Sequence, residues 1–227
     1  MERMKRPLAF PVARAALLVI DLQEEHRHDR RYLVEGFDRV IANTVRLLDT
    51  ARAATVSVYH FAYIVDPAAI RPFHPVTADG KSAFSDKDDP LTAICAEVAP
   101  VGDEPLFVKS EATAFGTGLG RELKLRGIEW LFVAGVWTEA CVDATVKDAI
   151  GQGFRVALVK DACGSATRAM HVTGILNLAN RLYGGAVVDT ARACRLIDGH
   201  TVEAWMVEGS VPLRITFENA EGLFDDL

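Results

Sequence analysis

Residues 130–150 read WLFVAGVWTEACVDATVKDAI, and the fold is decided there. An apolar run, Trp130 to Ala134, ends at Gly135, and a helical pattern begins a few residues later. This is a buried strand feeding a helix, with Cys141 where the helix starts. The positive end of a helix favours an anion, so the position is expected to favour the thiolate, the nucleophilic form. A free thiol has a pKa of about 8.5, so a catalytic cysteine needs such activation.

The same rhythm extends in both directions. Strands are expected at Ala15–Ile20, 55–61, Leu106–Lys109, Phe154–Val159 and Ala186–Val188. Helices are expected over Phe37–Ala53, 118–126 with Thr117 as N-cap and Gly127 as stop, 140–150, and 168–182. The strands are continuous apolar runs rather than alternating ones, so both faces are buried. That implies a mostly parallel six-stranded sheet in a three-layer α/β/α sandwich. One domain spanning 1–227 is expected, with a core at about 14–190 and an extension over 191–227. Within the extension, WMVEGSVPLRITFENAEGLF has a strand-like centre that either pairs with a neighbouring subunit or folds back. Segment 63–90 is long, polar and proline-bearing, as expected of a lid or binding loop.

Composition narrows the function. The 227 residues are half hydrophobic with a formal net charge of -6, against a general nucleic-acid binder. No apolar run reaches the roughly 18 residues of a membrane span. The N-terminal segment reads as a charged lead-in to a strand rather than a signal peptide. The four cysteines, Cys95, Cys141, Cys163 and Cys194, form no CxxC pair, as expected in a reducing cytoplasm. GTGLG at 116–120 has the wrong spacing for a dinucleotide loop, and DGKS at 79–82 lacks the upstream glycine of a P-loop.

Open parallel sheets bind ligands outside the carboxyl ends of their strands. Asp21 ends the first strand, Lys109 the third, and the fourth leads into Cys141. An acid, an amine and a thiol can therefore meet, with Cys141 as nucleophile, Asp21 as proton carrier and Lys109 holding the local potential positive. Glu111 and Glu139 lie near them in sequence.

LLVIDLQ around Asp21, FVKSEATAFGTGL around Lys109, VAGVWTEACVDATVKDA around Cys141 and GFRVALVKDAC after it resemble the isochorismatase-like cysteine hydrolases over roughly residues 14 to 190. The resemblance implies a catalytic triad of Asp21, Lys109 and Cys141. It also implies a cis peptide at Val136–Trp137 that directs the backbone amides of Trp137 and Cys141 at a developing oxyanion. Gln23, His26, Phe115 and Trp137 are the candidate substrate-contacting residues; His26 stands where the family often has an aromatic. Isochorismate-cleaving members commonly carry glycine at the cysteine position, so Cys141 points to the amidohydrolase branch, which hydrolyses small carboxamide or ureido compounds. The alternatives are hydrolysis of a non-amide substrate and a non-catalytic binding or assembly protein. Nicotinamidase members have an Asp-x-His metal element, whereas here Asp66 is followed by Pro67 and Ala68, so no metal and no cofactor are expected. His60 and His74 read as a core histidine and a loop residue. The expected partners are a small-molecule amide and further copies of the chain.

Overall fold

The computed structural model describes residues 4–69 and 73–227. Its sheet has eight strands: β1 (Lys5–Leu8), β2 (Ala15–Ile20), β3 (Ser57–Tyr63), β4 (Leu106–Lys109), β5 (Trp130–Val136), β6 (Arg155–Gly164), β7 (Ala186–Val188) and β8 (Val202–Trp205). They are ordered β1-β8-β7-β6-β5-β2-β3-β4. The pairings β7-β6-β5-β2-β3-β4 are parallel, as expected. Two short strands extend the expected six: β8 runs antiparallel to both β7 and β1. Residues 206–216, the centre of the expected tail strand, form no strand; the strand that does form, β8, ends at Trp205 and pairs with β1 and β7 of its own chain.

The helices are α1 (Glu25–His28), α2 (Phe37–Ala53), α3 (Leu119–Leu125), α4 (Asp143–Gly151), α5 (Arg168–Ala179), α6 (Thr190–Ile197) and α7 (Ala220–Asp226). Successive side chains of a strand point to opposite faces. In β2, Leu17 and Val19 pack into one core layer with Val40, Ile41 and Leu48 of α2 and Leu196 of α6. Leu18 and Ile20 pack into the other, with Leu123 of α3, Val146 of α4 and Ile175 of α5. Every residue of β2 and of β5 is buried, which is why these strands read as unbroken apolar runs.

Three local expectations are corrected. Thr117 is not the cap of α3: its hydroxyl donates to the Ala114 carbonyl, and Gly118, at φ 87°, occupies the N-cap position. The helix expected over 140–150 begins instead with one wide turn, Thr138–Val142, in which the Val142 amide reaches five residues back to the Trp137 carbonyl at 3.2 Å. The strand expected over Phe154–Val159 runs on to Gly164, so that Asp161 lies within it and its carboxylate accepts from the amide and hydroxyl of Thr190. The long segment at 63–90 includes residues 70–72, which lie outside the described residues. Its remainder folds over the carboxyl ends of the strands and is tied to β3's exit by the Val65↔Asp86 bridge.

Candidate active site

Asp21 and the turn bearing Cys141 leave neighbouring strands, β2 and β5, and Lys109 leaves β4, two places along the sheet. Close approach of the first pair depends on Gly135. It sits beside Ile20 at φ 133°, and a Cβ there would lie 2.1 Å from the Ile20 carbonyl oxygen. Asp21 adopts φ 53°, the left-handed region that non-glycine residues occupy at a cost of roughly 1–2 kcal/mol. The sheet register thus turns Asp21 out of line with β2. The wide turn places Cys141 opposite, and α5 presses on it so closely that a Cβ at Gly174 would meet the Thr138 methyl at 2.9 Å. Thr138, fully buried, donates its hydroxyl to the Gly164 carbonyl at 2.9 Å and accepts from Nδ1 of His171 at 2.8 Å. The Val136–Trp137 peptide is cis.

Lys109 spans the end of β3 with its ammonium 4.7 Å from the Tyr63 ring centroid. Its three hydrogens meet three acceptors: Asp21 Oδ2 at 2.7 Å and the carbonyls of Glu111 at 3.1 Å and Ala112 at 3.2 Å. The Lys109 and Asp21 side chains are 1% and 3% exposed, so this is a desolvated ion pair. Asp21 Oδ1 is buried and has no hydrogen-bond partner. Burial pushes the Asp21 carboxyl above the usual carboxylate range, outweighing the attraction of Lys109. For Lys109 burial acts downward, but the charges of Asp21 and Cys141 outweigh it, and the net direction is up.

The activation expected from the helix end meets two opposing influences. Burial, and then the Asp21 carboxylate, push the Cys141 thiol well above its ordinary pKa, against an opposing pull from Lys109. The resting sulfur is a thiol beside a base, not a preformed thiolate.

Asp21 and Cys141 share a cavity of about 350 Å³ with His26, Trp137, Tyr32, Tyr63 and Phe84, and with the polar pair Glu25 and Ser85. A larger neighbouring cavity, about 440 Å³, runs past Tyr63, Lys109 and Glu111 but touches neither Asp21 nor Cys141, so the chemistry belongs to the smaller one. His26 and Trp137 stand where the sequence put them, on the cavity wall, and the Trp137 indole N–H lies 3.3 Å from His26 Nδ1. The Tyr32 carbonyl is 3.2 Å from the same nitrogen, which cannot both accept from the indole and donate to the carbonyl. Burial drives the His26 pKa down to about 4, so the ring is neutral at neutral pH.

Two expected substrate contacts lie elsewhere. The Gln23 amide is fully buried and committed to backbone, donating to the carbonyls of Tyr63 (3.0 Å) and Thr92 (2.8 Å) and accepting from the Tyr63 amide (2.8 Å). It pins the ends of β2 and β3 together. Phe115 is in the core, 5.8 Å from the Phe154 ring. Glu139 accepts from the Ser165 hydroxyl at 2.8 Å, and Glu111 lines the neighbouring cavity rather than this one. Glu25, Tyr32, Phe84 and Ser85 were not singled out from the sequence. The long polar segment was the one signal for Phe84 and Ser85.

His60 and His74 take the places expected of them. His60 is fully buried against Glu104 Oε2 at 2.9 Å, and His74 meets the Ser82 hydroxyl at 2.7 Å within the long segment. Among the described residues no group of three or more His, Cys, Asp or Glu side chains is arranged to hold a metal ion. No helix among them is long and apolar enough to cross a membrane.

A covered, mostly parallel sheet with an acid, a lysine and a cysteine turn at its carboxyl edge defines a hydrolase-type α/β scaffold. Residues 15–192 match the family model described as Isochorismatase domain, and the chain belongs to that family. Among curated relatives, the maleamate amidohydrolase of Pseudomonas putida is 29% identical over 182 residues, 76% of this chain and 82% of its own length. Ureidoacrylate amidohydrolase RutB of Yersinia enterocolitica is 27% identical over 182 residues, 70% of this chain and 79% of its own. Among solved structures, a cysteine hydrolase from Pseudomonas syringae pv. phaseolicola superposes with a TM-score of 0.76 at 21% identity, covering 86% of this chain and 97% of the other. That likeness establishes the fold.

Proposed function

We propose that this chain is a cysteine-dependent amidohydrolase that cleaves a C–N bond in a small carboxamide or ureido compound. The observation that carries the reading is the split environment of the Asp21 carboxylate. Oδ2 is fixed by Lys109, and Oδ1 is buried with no partner, in the cavity that holds the Cys141 thiol.

The substrate carbonyl docks over Cys141. As the sulfur attacks the carbonyl carbon, its proton passes to Asp21 Oδ1 and the carbonyl oxygen becomes an oxyanion. The backbone amides of Trp137 and Cys141 receive that charge, a contribution of about 3–4 kcal/mol per donor in such sites. The C–N bond then breaks, and the nitrogen leaves with the proton from Asp21. Water, deprotonated by Asp21, hydrolyses the thioester, releasing the acid and restoring the thiol. Lys109 keeps Asp21 ionised between proton transfers and does not itself meet the substrate.

Four unpaired cysteines support the reducing, cytoplasmic setting within this reading, and homo-oligomeric assembly is part of it. The test is ammonia release from a panel of small carboxamides and ureas by the wild type and by Cys141→Ala. Release that disappears in the variant is expected. Release at the wild-type rate without the thiol would move the chain to thiol-independent hydrolysis. No release from any compound, with an inert Cys141, would favour a binding protein on the same scaffold.

A further inference from the structure

The cavity holds one charged group that this chemistry does not use. Glu25, four residues after Asp21, is 5% exposed and lines the cavity. Its carboxylate is held from the long segment: the Ser85 hydroxyl donates to Oε1 at 2.6 Å and the Ser85 amide to Oε2 at 3.2 Å. Ser85 reaches both oxygens because its backbone adopts φ 49°, a left-handed conformation that serine rarely takes. Its carbonyl is tied to the Val65 amide at 2.8 Å. Two donors on a carboxylate leave about half of its lone-pair sites open.

The charges around it do not cancel. Asp21 is matched by Lys109. Among the described residues lining the cavity there is no lysine or arginine, and the nearest ring nitrogen of His26 to Glu25 Oε1 is 3.9 Å away, on a neutral imidazole. Burial raises the Glu25 carboxyl above its ordinary range, against the pull of the two Ser85 donors; in its ionised form Glu25 gives the cavity a net negative charge. Much of the rest of the wall is aromatic, with Ala112, Val136 and Ala140 filling in between. Tyr32 and Phe84 meet edge to face at 6.1 Å, Tyr63 and Phe84 lie 5.8 Å apart, and Trp137 closes the side beside His26. Ring faces and a carboxylate both attract cations and N–H donors.

We propose that Glu25 and the aromatic wall set the substrate's charge: the amide or ureido compound carries a cationic or N–H-rich group, and carboxylate-bearing compounds are turned away. This rests on the hydrolase reading for the word substrate, but the charge preference is measurable without turnover. Cys141 is treated with three methanethiosulfonates: neutral methyl, cationic aminoethyl and anionic sulfonatoethyl. The rate at the Cys141 peptide is followed by mass spectrometry, and each rate is divided by that reagent's rate with free cysteine.

The expected normalised cation-to-anion ratio is about tenfold or more, the scale of one unit charge a few ångströms away in a half-buried site. Glu25→Gln should bring it several-fold closer to one, whereas Ser85→Ala, which keeps the carboxylate, should leave the cation ahead. A wild-type ratio at or below one overturns the proposal with no variant needed, as does a ratio that Glu25→Gln leaves in place. Either result leaves amide hydrolysis by Cys141 standing. Conversely, failure to release ammonia from any amide would not alter a ratio already measured.

Discussion

Replacing Lys109 by methionine keeps most of the side-chain volume and removes one charge from a pair with almost no contact with water. At 2.7 Å the attraction in the pair is about 6 kcal/mol at an effective dielectric of about 20, most of which offsets the desolvation of both groups. Removing one partner leaves the other buried and uncompensated, which typically costs about 3–5 kcal/mol. The carbonyls of Glu111 and Ala112 also lose their donor. For a chain of this length the expected fall in Tm is about 6–20 °C.

Its pH dependence has a definite sign. Burial already raises the Asp21 pKa, and without Lys109 the largest opposing influence is gone. A carboxyl whose folded pKa lies above its unfolded value holds extra protons when folded, so stability is lost as pH rises through the folded pKa. The deficit of Lys109→Met should therefore be small at about pH 5 and large at about pH 8. Thermal melts of wild type, Lys109→Met, Asp21→Asn and the double variant close the cycle. Asp21→Asn in the Lys109→Met background should recover about 2 kcal/mol or more, the carbonyl loss remaining. Single effects that add to within about 0.5 kcal/mol, with no pH dependence in the deficit, would refute the buried-pair argument.

Further outcomes follow from the same geometry. Asp21→Asn should abolish turnover yet speed alkylation of Cys141 by iodoacetamide at neutral pH about tenfold, because the negative charge that raises the thiol pKa is gone while Lys109 remains. Slower alkylation would instead make Asp21 the thiol's activator in the resting state. In the wild type, the acid limb of the pH–rate profile should lie above the ordinary carboxylate range near about 4, since Asp21 must be ionised to accept the proton and burial raises it. A limb at the ordinary value would place the essential base elsewhere. Gly135→Ala should cost about 3 kcal/mol or more by chemical denaturation, because its Cβ has no room beside Ile20 and its φ is positive. A cost below about 1 kcal/mol would mean that β5 shifts freely against β2.

What was legible in the sequence follows from burial. The central strands, such as LLVI before Asp21, are covered on both faces and announce themselves as apolar runs. The edge strand KRPL is short and mostly exposed, and its neighbour VEAW, though largely buried, is too short to carry a readable period. Asp21 and Cys141 were legible because each follows a strand whose end is fixed by such a run; Lys109 closes a short apolar run at the exposed edge of the sheet. The contacts around them depend on direction, which spacing does not give. Gln23 is two residues from Asp21 yet turns into the backbone of β3, and Phe115 is carried into the core by the short turn that precedes α3. Glu25 reads as one more surface acid until Ser85, sixty residues away, is folded onto it. The thiolate expected from the helix end is opposed by two influences that spacing does not show, burial and a neighbouring carboxylate, which push the thiol pKa up.

The account stands most directly on an acyl-enzyme at Cys141. An amide that releases ammonia should be mixed with the enzyme, quenched in acid within a turnover, and the Cys141 peptide weighed. A mass increase equal to the substrate less ammonia, on Cys141 and absent from Cys141→Ser, is the predicted result. Undiminished ammonia release by Cys141→Ser, with no adduct on the wild type at any time, would contradict it.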